Sequence, residues 1–225
     1  MDRLTFDGVE VKIVKKRIKN MYLRINKDGE IVVSAPLFLS DRDIEGFVFS
    51  KREWINEARE RVTFKQNRNR LYIEGEELFL LGKKTVLHID TTRKSGYYFK
   101  GNELVICVGE NSTPKKRRKE LVEFYRDAMN EILPEIFEKC QRKSGLYADE
   151  WRIRDMTTRY GSCNTKEKRI WMSLWLMEKP PVCIEAVVYH ELAHLKIKGH
   201  NKDFYEFLGK IYPEYKMAER LLKKQ

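Results

Sequence analysis

Three of the four histidines in the chain fall within eleven residues, His190-Glu191-Leu192-Ala193-His194, then Leu195 to Gly199, then His200. Residues four apart on an α-helix lie on one face, one turn above the other, so His190 and His194 can aim their imidazoles at a common point. Zinc accepts neutral imidazole nitrogen at about 2.0–2.1 Å, and a hydrolytic zinc site uses three protein ligands with one position left open. His200 is the nearest third donor. Gly199 tolerates the left-handed conformation that ends a helix, which would turn the chain back and carry His200 towards the other two. Glu191 lies one step round the helix, poorly placed to ligate but well placed to act as general base towards a water. The second-to-third histidine spacing equals that of the metzincin motif, but the glycine stands elsewhere. The pattern therefore points to a helix, a glycine turn and a metal-assisted hydrolytic site with Zn2+ as cofactor. Arg159, Tyr160, Tyr189 and Tyr205 are the conceivable donors to a developing oxyanion, and Cys163 is the one nearby candidate for a fourth ligand.

The rest of the chain reads as α+β. Val9 to Val14, Tyr22 to Ile25 and Ile31 to Ala35 alternate as strands, with a turn at Asn26 to Gly29. Ser40 and Asp43 signal a capped helix whose apolar positions are Ile44, Phe47, Val48, Trp54, Ile55 and Ala58. The KQNRNR stretch at 65–70 reads as a linker. Leu71 to Val108 predicts a small antiparallel sheet. Ser112 or Thr113 with Pro114 opens a long helix to about Lys143, which Pro134 is placed to bend. Strands are expected over Trp151 to Met156 and Arg169 to Leu176, and a helix from 182 to about 198. Two short helices separated by Pro213 finish the chain. The expected architecture is an N-terminal antiparallel β-rich part with one helix, residues 1–110, then a zincin-like helical catalytic part with a small sheet, residues 111–225. No internal repeat is visible.

Composition narrows the setting. The chain has 225 residues, a net charge of +11 and a pI near 9.4. A basic surface attracts anions, so nucleotides and nucleic acid enter as partners alongside a peptide or protein substrate. The run Lys115 to Lys119 stands at a helix start, where the macrodipole disfavours cations. It reads either as an anion contact or as a solvated face. The four cysteines, Cys107, Cys140, Cys163 and Cys183, form no close pair and are expected to be reduced thiols. No apolar run approaches the eighteen or so residues of a membrane span, and the N-terminus lacks a secretory h-region, so a cytoplasmic location is expected.

The segment VVYHELAHLKIKGHNKDFYEFL resembles the active-site helix and following turn of the YgjP-like metallopeptidase domain family, and more loosely that of SprT-like zinc proteases. Upstream, RIRDMTTRYGSCNTKEKRIWMSLWLMEKPP resembles the Arg-Trp-Gly-Ser-Cys loop of the family and its next strand, with Tyr160 where the family usually has Trp. The resemblance implies His190, His194 and His200 as metal ligands and Glu191 as base, and Arg159 and Tyr160 are the expected substrate-binding residues. It also implies the strand near 169–176 as a rim along which an extended substrate adds. Because one bacterial member is described as a uridine triphosphate pyrophosphatase, the resemblance leaves nucleotide hydrolysis as the alternative to peptide hydrolysis.

Overall fold

Alternation along β2 (Val9–Lys16) and β4 (Ile31–Pro36) puts Val11, Ile13, Ile31, Val33 and Ala35 into one core. The computed structural model describes residues 2–6, 9–26, 29–52, 54, 55, 58, 70–156 and 158–223. Most of the predicted 65–70 linker lies outside these residues. The chain divides into two compact units, Met1–Asn69 and Arg70–Gln225. The boundary expected near residue 110 falls inside the second unit, because the strands before it pack on the long helix that follows.

In the first unit, β1 (Asp2–Phe6), β2, β3 (Tyr22–Ile25) and β4 form a sheet in the order β1-β2-β4-β3. The outer pairs are antiparallel and the central pair, β2 with β4, is parallel. Helix α1 (Asp41–Ser50) covers the core with Ile44 and Val48. Its N-terminus is the expected capping box: Ser40 Oγ accepts from the Asp43 N–H, and the Asp43 carboxylate accepts from the Ser40 N–H.

The second unit opens with β5 (Glu77–Leu80), β6 (Lys83–Asp90), β7 (Ser95–Lys100) and β8 (Glu103–Val108), in the order β5-β6-β8-β7. Here too the central pair is parallel, so the sheet is mixed rather than wholly antiparallel. Each unit thus begins with the same four-strand order and the same strand senses. The spine is α2 (Pro114–Ser144), whose N-cap is Thr113 and which continues through Pro134. At 31 residues it is about 46 Å long, enough for its two halves to serve different layers. Its first half packs Phe124 against Tyr97 and Phe99 of the sheet. Farther along, Phe137 stacks on Trp151.

A second, three-stranded sheet has the order β10 (Gly161–Asn164), β11 (Arg169–Ser173), β9 (Glu150–Arg154). β11 is its central strand, antiparallel to β10 and parallel to β9. Both edges of β11 are therefore used, and this strand cannot be the rim that takes an added substrate strand. The strand also stops at Ser173, whose hydroxyl accepts from the Trp175 N–H and opens a 3-10 turn over Leu174–Glu178. Helix α3 (Pro181–His194) is apolar almost all round and lies among α2, β10, β11, α4 (Lys202–Ile211) and α5 (Tyr215–Lys223). The architecture is α+β: a β-rich N-terminal part, then helices with a small sheet. Among the described residues, no helix is long and apolar enough to cross a membrane.

The cationic run at 115–119 is only partly a free face. Arg117 donates to the Leu71 and Ser112 carbonyls. Arg118 pairs with Asp155 at 2.6 Å and lies over the Trp175 ring. Lys115, Lys116 and Lys119 remain exposed.

Candidate metal centre

Helix α3 begins at Pro181, where a missing N–H is harmless, and it ends at His194, about four residues earlier than expected. The Leu195 and Lys196 N–H groups close back onto Leu192 and Ala193, tightening the last turn. The chain then runs through Gly199, at φ +77°, into His200. A left-handed residue is required there, and glycine supplies it. Asn201 caps α4 by accepting from the Phe204 N–H at 2.9 Å.

This path brings the three histidines together. The Nε2 atoms of His190 and His200 are 2.9 Å apart, and that of His194 is 3.2 Å from each. Nitrogens held at the usual zinc distance in a tetrahedron are separated by about 3.3 Å, so the triangle fits such an ion. The chemistry of the donors fits as well. His194 Nδ1 lies 3.3 Å from the Ile197 carbonyl, which can only accept, so the proton sits on Nδ1 and the Nε2 lone pair faces inward. Burial, with the neighbouring histidine charges, pushes His190 down to about 3. Burial also lowers His194, the Ile197 carbonyl opposing and His200 adding to the shift. Both rings are therefore neutral near pH 7 and able to donate lone pairs. Among the described residues these three side chains are the one group of three placed to hold a metal ion.

Glu191 is 5% exposed, and burial pushes its carboxyl up to about 8, with the positive charge of Arg159 pulling the other way. Its carboxylate lies against Gly161 at the start of β10. A Cβ at Gly161 would stand 2.6 Å from Glu191 Oε1 and 2.8 Å from both Glu191 Cγ and Val187 Cγ1. The absence of a side chain there lets the strand approach the helix. Gly161 was not among the expected site residues; the only sign of it in the sequence was its place in the RYGSC loop.

The other expected residues separate. Arg159 is exposed just before β10, close enough to act on the Glu191 charge. Tyr160 precedes Gly161, its carbonyl accepting from the Ser173 N–H at 2.8 Å and its ring 5.9 Å from Lys179 Nζ. Tyr189 is turned into the core, stacked on Tyr212 with ring centroids 4.6 Å apart. Tyr205 stays near the centre, its ring 6.3 Å from that of His200. Tyr215, unremarked in the sequence, lies 6.2 Å from the His190 ring. Cys163 stands outside the metal-capable group, and burial followed by the Glu191 charge pushes its thiol up to about 12.

The chain is similar to the metallopeptidase zymogen of Pyrococcus abyssi abylysin, known from a crystal structure. The two are 22% identical at a TM-score of 0.38, over 41% of this chain and 94% of that one. No curated protein matches it. A family model covers residues 19–225, both the β-rich part and the histidine helix, and the chain belongs to the family it describes, the YgjP-like metallopeptidase domain.

Proposed function

We propose that this protein is a zinc-dependent peptidase in which His190, His194 and His200 hold the ion and Glu191 is the general base. The observation that carries the reading is the meeting of three imidazole nitrogens within 3.2 Å, two of them on the helix that also carries the buried Glu191. When bound, zinc supplies Lewis acidity, which activates water and polarises a carbonyl group. Glu191 takes the proton from the attacking water and passes it to the leaving amine. Arg159 favours the ionised carboxylate that the first of these transfers needs.

The substrate reading moves from β11 to β10. β10 is an edge strand of the three-stranded sheet, and its first residue lies against Glu191. An extended peptide pairing with that edge would run beside the carboxyl group, its main chain supplying affinity regardless of sequence. Arg159 and Tyr160, immediately before the strand, are then placed to contact substrate.

The test is cleavage of an unfolded protein such as casein, and of a mixed peptide set, by wild type and Glu191→Gln, with bound metal measured in both. The expected result is a loss of at least about a thousandfold in kcat with metal retained, since the lost group acts directly on the reacting proton. A metal-loaded wild type that leaves every peptide intact but releases pyrophosphate from uridine triphosphate would contradict the peptidase reading.

A further inference from the structure

Among the described residues, Phe204 is the one side chain whose ring lies within about 5 Å of all three imidazoles. It is fully buried. Its centroid is 4.5 Å from that of His194, nearly parallel at 24°. It meets His190 at 5.0 Å and His200 at 5.1 Å, both edge-on. Rotation about the bond to an imidazole ring is soft and roughly two-fold, so a histidine left to itself does not hold one nitrogen on target. A rigid aromatic wedged among three such rings removes that freedom from all of them at once.

The placement of Phe204 is itself determined by the residue next to the third histidine. The Asn201 side-chain oxygen accepts from the Phe204 N–H at 2.9 Å, and the Asn201 carbonyl accepts from the Tyr205 N–H at 3.2 Å. Gly199, at φ +77°, sets the direction in which the chain enters His200. The sequence Gly199-His200-Asn201-Lys202-Asp203-Phe204 is thus one turn that delivers an imidazole and the ring that orients it.

We propose that Phe204, fixed by the Asn201 cap, is a positioning residue that orients the three imidazoles before any ion arrives. The inference rests on the reading of those histidines as metal ligands. Neither residue is a ligand, so the effect belongs to metal affinity and geometry and is read without any substrate.

The experiment titrates the metal-free full-length protein with cobalt(II), following its visible absorption and then its competition with a chelator. The proteins compared are wild type, Phe204→Leu, Asn201→Ala and Asn201→Ser, and thermal unfolding of each metal-free form is measured alongside. Phe204→Leu and Asn201→Ala should each weaken cobalt binding about ten- to a hundredfold, the usual cost of losing an outer partner of a metal site, and dim the tetrahedral band. Asn201→Ser, which caps as well as asparagine, should return affinity to within about threefold of wild type. The Asn201 pair carries the test even if Phe204→Leu does not fold, because Asn201 is exposed. Unchanged cobalt affinity and band in Asn201→Ala, with only a lower melting temperature, would overturn the positioning role and leave the histidine reading intact. A wild type that takes up no cobalt would overturn both.

Discussion

Glu191 has its chemistry because of what surrounds one carboxyl group. A buried carboxyl group is costly to ionise, and burial pushes Glu191 up to about 8. Arg159 opposes it, and Gly161 makes the room. Gly161→Ala therefore places a methyl group 2.6 Å from Oε1 and 2.8 Å from Val187 Cγ1, so that the packing there must shift. The expected cost is about 1–3 kcal/mol in denaturant unfolding, the usual range for an overpacked core, together with at least a tenfold drop in kcat. Full stability and full activity would show that β10 does not press on Glu191. The same crevice governs Cys163. Since burial and the Glu191 charge hold its thiol protonated to about pH 12, iodoacetamide at pH 8.5 should modify it more than tenfold more slowly than free cysteine. The other three cysteines are buried, so uptake of label by the folded protein reports on Cys163. Labelling at the free-thiol rate would contradict this environment.

Secondary-structure elements differ in how plainly the sequence announced them. The Ser40–Asp43 box and the Thr113–Pro114 start were legible because each is a local rule, complete within four residues. The box has an acid signature. The Ser40 hydroxyl, then its N–H, holds the Asp43 carboxyl below its ordinary value of 3.8, against a smaller upward pull from burial. A depressed folded pKa gives stability that is present above the unfolded value and is lost as pH falls through the folded one. Between about pH 5 and 2, wild type should lose more thermal stability than Asp43→Asn, which has no carboxylate to protonate; parallel curves would deny the box a role. Other features were not legible because they depend on distant partners. Alternation in β2 and β6 shows which face is buried, and β4 and β8 read as almost wholly apolar, but neither pattern tells that the central pairs run parallel. In Leu195–Lys198 nothing forbids helix, and α3 stops at His194 because its last turn tightens and the chain is drawn towards the histidine cluster. The rim strand was misplaced for the same reason: that β11 is central and β10 is the edge is a property of the sheet.

For the molecule as a whole, the histidine cluster was the most legible part of the sequence and the surroundings the least. His190 and His194 are related by helical periodicity with Glu191 one step round, and Gly199 marks the turn that returns His200, so these five could be read in order along the chain. Gly161 and Tyr215 come from two further segments that only folding brings to the same place, and Phe204 follows His200 by four residues in a role that no local rule announces. The repeated four-strand order of the two units is likewise absent from any visible repeat in sequence. Of the most basic run, Arg117 and Arg118 spend their guanidinium groups on carbonyls, a carboxylate and an aromatic face, which the sequence did not announce.

The central claim is that three imidazoles make one metal site, and X-ray absorption at the zinc edge on the zinc-loaded protein, with metal content determined on the same sample, tests it most directly. The account predicts one zinc per chain with a first shell of nitrogen and oxygen at about 2.0–2.1 Å, three imidazole scattering patterns and no sulfur, all lost together in His194→Ala. A protein that binds no zinc, or a shell containing sulfur at about 2.3 Å, would contradict it.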